Sequence, residues 1–256
     1  MTAPLIVNCD SPRPGTSRNG REANGKRTMQ ARRRARDKDS PLSIIDIFSD
    51  LSAGELAEMN GQVSTFACEP GRLLYVPGER AEALFLLGRG HVQLYRLSPG
   101  GRKLVVATLK AGTFFGAIPP VAQETYQTYA ETVDPCVMYV LGRDDAQHLL
   151  RQKPEVAYRV VAVLGERLRH LERRLEAMAF QNIPARLAAL LLRLADEQGD
   201  GVVLGYTHQD LADMLGTYRE TVSETLHKFR ADGLVQTGRR EVGLKDRERM
   251  KIVADS

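Results

Sequence analysis

The stretch whose reading decides the fold is Thr207-His-Gln-Asp-Leu-Ala-Asp-Met-Leu-Gly-Thr-Tyr-Arg-Glu-Thr-Val-Ser-Glu-Thr-Leu-His-Lys-Phe-Arg-Ala231. Thr207 is an N-cap candidate, and Asp210 three residues on completes a pair like a capping box. Leu211, Met214 and Leu215 form one apolar face, and Gly216 lets the chain turn with positive φ. Val222, Leu226 and Phe229 then start a second apolar face at helical spacing. Two short helices around a glycine turn predict a helix-turn-helix. The second helix presents Tyr218, Arg219, Glu220 and Ser223 on the outward side of its N-terminal end, the end by which such helices enter the major groove. An arginine there reaches O6 and N7 of guanine, and a glutamate accepts from N4 of cytosine. His227, Lys228 and Arg230 lie further along, where phosphate contacts are expected. The stretch Gly233–Gly238, then Arg239-Arg240, then Glu241–Asp246 reads as a two-stranded wing with a basic tip. Thr207, Gln209 and Thr217 complete the expected DNA-facing set.

Working outward, the period upstream is also helical. After Pro154, Ala157, Val161, Leu164, Leu168, Leu171, Leu175 and Met178 are spaced alternately by four and three. This is a heptad seam with charged shoulders, and it predicts a two-stranded coiled coil between identical chains. Pro184 follows, and Ala185 to Ala195 reads as a buried Ala/Leu-rich helix closed by Gly199-Asp200-Gly201. Gly201 to Tyr206 reads as a short strand.

Between about residue 62 and Leu141 the pattern is different. Short alternating runs at Arg72–Val76, Ala83–Leu87, His91–Arg96 and Lys103–Thr108 are separated by glycine turns. Tyr126 to Leu141 supplies two more strands, broken near Asp134-Pro135. Regular short strands predict a small antiparallel barrel or sandwich.

The 256 residues suit two compact domains and a tail. The net charge of +4 is local. Residues 1–40 hold ten Lys/Arg and four Asp/Glu, whereas the other 216 carry 26 against 28. The tail, with its run Arg32-Arg33-Arg34-Ala35-Arg36, is expected to be disordered and solvated, or to touch phosphate backbones. No apolar run is long enough to span a membrane, and no secretory h-region follows the first residue, so a cytoplasmic protein is expected. Cys9, Cys68 and Cys136 show no CxxC or metal spacing; Cys68 and Cys136 are read as small core residues. No nucleophile–base pair, metal cluster or phosphate-binding loop argues for an enzyme.

The whole resembles the cyclic-AMP receptor protein and fumarate-nitrate regulator (Crp/Fnr) superfamily of bacterial transcription factors, over about residues 43–250. Tyr75-Val-Pro-Gly-Glu-Arg-Ala-Glu-Ala-Leu-Phe-Leu-Leu87 is similar to the family's barrel hairpin. Gly112-Thr-Phe-Phe-Gly116 is similar to the opening of its phosphate-binding cassette, and Arg219-Glu220-Thr221-Val222 to its recognition-helix core. The resemblance implies an α+β architecture: a cyclic-nucleotide-binding-like antiparallel β-roll, a long dimerisation helix and a C-terminal winged helix-turn-helix. The expected boundaries are 1–40 for the tail, 41–152 for the roll, 153–181 for the dimer helix and 182–256 for the DNA-binding domain. The expected partners are double-stranded DNA, a second copy and RNA polymerase.

The resemblance places an effector pocket at Phe115, Gly116, Ala117, Thr125, Tyr126, Leu171 and Glu172. The family's nucleotide binders follow the cassette glycine with a glutamate for the ribose and later present Arg-Ser to the cyclic phosphate. Here Gly116 is followed by Ala117-Ile118-Pro119-Pro120, and the Arg-Ser position falls near Glu124-Thr125. Leu171 and Glu172 stand where cyclic-AMP binders place the polar pair that reads adenine. No cyclic-AMP binding of the known kind is expected. Glu224 replaces a second guanine-reading arginine of the cyclic-AMP branch, so a different half-site is expected. An iron–sulfur cluster needs four cysteine ligands where three stand scattered. A haem or small-molecule sensor using His91, His148 or His170, and a regulatory subunit acting on a protein partner, remain the alternative readings.

Overall fold

The computed structural model describes residues 40–119, 124–199 and 201–256. The expectations for the basic tail (Ser40 apart), Cys9, Pro120 and Asp200 lie outside the described residues. These divide into two units. The first holds the described residues up to Leu94 together with Thr108–Leu164; the second holds Tyr95–Ala107 and Gly165–Ser256.

Two 3₁₀ turns, Pro41–Ile44 and Asp46–Phe48, open the first unit, and α1 (Ala53–Asn60) follows. The sequence reading missed all three. Their apolar residues are too few to show a period, yet Leu42, Ile45, Ile47 and Phe48 are fully buried in the core of the unit. Ser52 starts α1 through a capping box with Glu55.

Eight strands follow: β1 (Ser64–Cys68), β2 (Leu73–Tyr75), β3 (Ala83–Arg89), β4 (His91–Leu97), β5 (Lys103–Lys110), β6 (Phe114–Gly116), β7 (Tyr129–Thr132) and β8 (Cys136–Gly142). They form two four-stranded sheets, ordered β1-β8-β3-β6 and β2-β7-β4-β5. The described pairings of the first sheet are antiparallel, with Phe85 between Phe115 and Val140. This is the expected β-roll. The strands expected from alternation are present. β6, only three residues long, had shown as a glycine-bounded motif and not as a strand.

Helix α2 (Arg143–Gln152) was not anticipated; it follows β8 directly and buries Ala146 and Leu149. Helix α3 (Pro154–Phe180) is continuous over 27 residues. It carries two stripes. Val156 and Val160 are buried in the core of the first unit, with Val163 and Leu164 packed against them. Val161, Leu168, Leu171, Leu175 and Met178 are exposed. Leu164 therefore departs from the seam reading: it is half-buried against its own protomer's core. No helix among the described residues is long and apolar enough to cross a membrane.

The second unit adds α4 (Ile183–Gln198), β9 (Val202–Leu204), α5 (His208–Leu215), α6 (Arg219–Ala231), β10 (Val235–Gly238), β11 (Glu241–Leu244) and α7 (Arg247–Ala254). Helix α4 starts earlier than Ala185. The Asn182 side chain accepts from Ala185 N at 2.9 Å, and Pro184 sits in the first turn, where its missing N–H costs nothing. Gly199 ends it at φ 84°. Leu187, Leu191, Leu211, Val222, Leu226, Val235 and Met250 share one core, so the helices and the sheet β10-β11-β9 fold as one body.

Candidate nucleic-acid interface

Helices α5 and α6 are set by local chemistry. Thr207 N donates to Asp210 Oδ2 at 2.7 Å, and Asp210 N donates to Thr207 Oγ1 at 3.1 Å, a complete capping box. Gly216 turns the chain at φ 69°, in the left-handed region where side chains are strained. Two arginines then cap the carbonyl end of α5. Arg174 donates to Met214 O at 2.9 Å, and also to Val106 O at 2.8 Å; Arg186 donates to Leu215 O. Burial pushes the pKa of both guanidinium groups down, and for Arg174 the neighbouring Arg186 and Arg193 add to this. Sequence reasoning missed both residues. Nothing local marks either as a helix-end donor.

Helix α6 buries Val222, Thr225, Leu226 and Phe229 and turns its N-terminal end outward. Tyr218 is 63% exposed, and Arg219 and Glu220 are exposed with it. Within the same unit the Arg102 guanidinium stands 5.1 Å from the centre of the Tyr218 ring. Ser223 is half-buried. Its hydroxyl donates to Arg219 O at 2.9 Å and lies 2.7 Å from Nδ1 of His208, a residue absent from the sequence-derived set. Thr217 departs from that set, being 8% exposed and turned into the fold at the helix junction. Gln209 is exposed, with its amide donating to Asp213 at 2.7 Å. Lys228 pairs with Glu224 one turn away, at 3.0 Å.

The wing is the hairpin of β10 and β11, with Gly238 opposite Glu241 and Arg239-Arg240 at its tip. Both arginines are exposed. Arg240 has φ 55°, and its carbonyl accepts from Gly205 N at 2.8 Å, which ties the tip to the end of β9. Between wing and helices lies an open cleft of about 560 Å³, lined among others by Tyr206, His208, Gln209, Arg219, Arg240 and Glu241. Arg240 on this cleft, with Arg239 beside it at the wing tip, suits an anionic backbone, and the exposed Arg219-Glu220 pair suits base edges.

The residues expected around an effector divide between the two units. Gly116, Ala117 and Tyr126 come together around the main chain of Ala83, and Phe115 lies opposite Phe85. The Tyr126 hydroxyl bridges Ala83 N and O at 3.2 Å each, and Ala117 N donates to Ala83 O at 2.8 Å. Tyr126 stacks on Tyr75 at 3.8 Å, and Phe115 on Phe85 at 5.2 Å. Burial raises the Tyr126 pKa. Thr125 bridges to Arg80 across the strand edge. Leu171 and Glu172 stand exposed on α3, in the second unit. Of the haem-ligand candidates, His91 is engaged by Asp134, Nδ1 to Oδ2 at 2.6 Å.

Comparison with known proteins matches the model of the cyclic nucleotide-binding domain at residues 66–153 and that of the Crp-like helix-turn-helix domain at residues 185–252. The "Cyclic AMP receptor protein" of Thermus thermophilus is 32% identical over 184 residues, 72% of this chain and 85% of that protein. The "CRP-like cAMP-activated global transcriptional regulator" of Mycobacterium tuberculosis is 26% identical, over 83% of this chain and 97% of that protein. The solved structure of the c-di-GMP responsive global regulator CLP of Xanthomonas campestris superposes with a TM-score of 0.70. It is 22% identical and covers 76% of this chain and 100% of that one, a likeness of fold.

Proposed function

Because the chain belongs to the Crp/Fnr family of transcription regulators, we propose that it acts as a homodimer on an inverted-repeat DNA site, with each recognition helix in one major groove. The observation that carries this is the exposed Arg219-Glu220 pair at the N-terminal end of α6, flanked by the arginine-tipped wing. Arg219 reads guanine, Glu220 reads cytosine, Ser223 completes the reading end, and Arg239 and Arg240 hold the phosphate backbone. Lys228, Gln209 and Thr207 stand at the edges of the same surface. The apolar stripe Val161, Leu168, Leu171, Leu175 and Met178 on α3 supports pairing of two copies. Pairing sets the two helices about 34 Å apart, one turn of duplex.

The protein works in the cytoplasm beside RNA polymerase, as a regulator and not as an enzyme. It does not bind cyclic AMP in the manner the relatives' names suggest. Ala117 supplies no carboxylate for a ribose hydroxyl, and Glu124, where a phosphate-binding arginine is expected, repels an anion.

The test is selection of bound duplexes from a random pool with the full chain, with and without cyclic AMP. Enrichment of an inverted repeat, independent of the nucleotide, is the expected result. On the selected site Arg219→Ala costs about 1–3 kcal/mol, with little change on random duplex. Equal losses on both would remove Arg219 as a base reader.

A further inference from the structure

Strands β1 and β8 run antiparallel, and the last pair of their ladder sets Cys68 opposite Cys136. Both are thiols, and both are buried, at 7% and 2% exposure. Directly opposed residues of an antiparallel pair project to the same face, and their Cα atoms lie about 4.5 or 5.5 Å apart according to the hydrogen-bond pattern. A disulfide spans Cα separations of about 4.4–6.8 Å, so either pattern admits one. The Cβ atoms need approach by no more than about 1 Å. The pair sits at the end of the β1–β8 ladder. Cys68 ends β1 before Glu69-Pro70, and Cys136 opens β8 after Asp134-Pro135.

We propose that Cys68 and Cys136 form a reversible dithiol–disulfide pair, oxidised in place by a peroxide. The Cys68 thiolate attacks one peroxide oxygen and breaks the O–O bond. Cys68 becomes a sulfenic acid, and the departing hydroxide takes up the thiol's proton as water. Cys136 sulfur then attacks the sulfenic sulfur. The S–S bond forms, and the sulfenic hydroxyl leaves as a second water with the Cys136 proton. Two thiols lose two electrons, and one peroxide becomes two waters.

The roles are unequal. Cys136 donates to His91 O at 3.3 Å and to Asp134 O at 3.2 Å. Burial, and next the Asp134 charge, push its thiol above the ordinary range. Cys68, the more exposed of the two, is the attacking group, and Cys136 resolves. Turning Cys136 toward Cys68 releases its bond to His91 O, at the turn that joins β3 to β4 at Gly90, and its bond to Asp134 O in the turn before β8. Asp134 already holds that turn through His91 N at 2.6 Å. The redox state of the pair therefore reaches a turn shared by both sheets. The proposal is independent of how the protein reads DNA.

The experiment uses the full chain carrying Cys9→Ser, so that only this pair can respond. The folded protein is treated with hydrogen peroxide, quenched, and digested without reduction. The expected result is loss of both thiols, one cross-linked peptide joining Cys68 to Cys136, and recovery of both thiols with dithiothreitol. Adding Cys136→Ser should trap Cys68 as a dimedone-reactive sulfenic acid. Adding Cys68→Ser should leave Cys136 reduced. Circular dichroism of each sample checks that the roll stays folded, and alanine in place of serine repeats the test for any variant that does not. Thiols that survive peroxide in the folded chain, or a disulfide found only between two chains, would overturn the proposal.

Discussion

Nδ1 of His208 lies 2.7 Å from the hydroxyl oxygen of Ser223, and this bond ties the first residue of α5 to the second turn of α6. The hydroxyl has one hydrogen, and it is directed to Arg219 O at 2.9 Å. It therefore accepts from His208, which assigns the proton of a neutral ring to Nδ1. The chain His208–Ser223–Arg219 holds the reading end of the recognition helix against the helix before it.

That bond gives the first prediction. His208→Ala and Ser223→Ala each lower the free energy of unfolding by about 0.5–1.5 kcal/mol. The double variant loses less than the sum, because one interaction is removed twice. Urea unfolding of the four proteins measures the coupling. Strict additivity would show that the bond contributes nothing in solution.

Arg240 gives the second. A non-glycine residue at φ 55° carries left-handed strain of about 1–2 kcal/mol. Arg240→Gly removes it, and returns about 0.5–1 kcal/mol of unfolded-state entropy. The melting temperature should stay level or rise slightly. DNA binding should weaken across all sequences, with the slope of log K against log salt shallower by about one. A fall in melting temperature would mean that the conformation is held by contacts of the side chain, not merely tolerated.

How far these features were legible depends on the range of the interactions that make them. The helix-turn-helix is written in residues at most a few turns apart: the Thr207–Asp210 box, Gly216, and the two apolar faces. The wing is legible for the same reason. Thr217 misled because a polar residue beside exposed Tyr218 is turned inward by the packing of two helices, which no local pattern records. Leu164 misled in a related way. The heptad spacing is real, but the first turns of α3 roll onto the roll core through Val156 and Val160 and draw Leu164 with them. Cys68 opposite Cys136 is a matter of strand register across a gap of many residues, so spacing along the chain shows nothing of it. The 3₁₀ turns and α1 are too short to show a period at all.

The third prediction separates the two stripes of α3. Leu168 is exposed, whereas Leu164 is packed on the core of the first unit. Leu168→Asp should leave the fold intact by circular dichroism and give a monomer in sedimentation, with binding to an inverted repeat reduced to that of a half-site. Leu164→Ala should instead lower stability, by roughly half of the ~2–5 kcal/mol typical of a fully buried leucine. A Leu168→Asp protein that still sediments as a dimer would move the pairing surface elsewhere.

The last prediction concerns acid. Glu55 accepts from Lys153, which joins α2 to α3, and from Ser52 N at 2.9 Å and Ser52 Oγ at 2.7 Å. The hydrogen bond from Lys153, and then those from Ser52, hold its carboxyl at about 2, against an ordinary value of 4.5. A depressed carboxylate stabilises the fold while it is ionised in both states, so its contribution is complete above pH 4.5 and disappears as pH falls toward 2. The partner has the opposite sign. Glu55 raises the Lys153 pKa above 10.5, so that contribution is present at neutral pH and is lost only as pH rises through the folded value. The gap in melting temperature between the natural chain and Glu55→Gln should therefore be widest at pH 5–8 and should close as pH falls from 4.5 to 2. Both groups are solvent-accessible, so added salt should narrow the gap by screening. A gap that persists unchanged at pH 2 would assign the loss to the amide's fit in the Ser52 capping box and not to the charge.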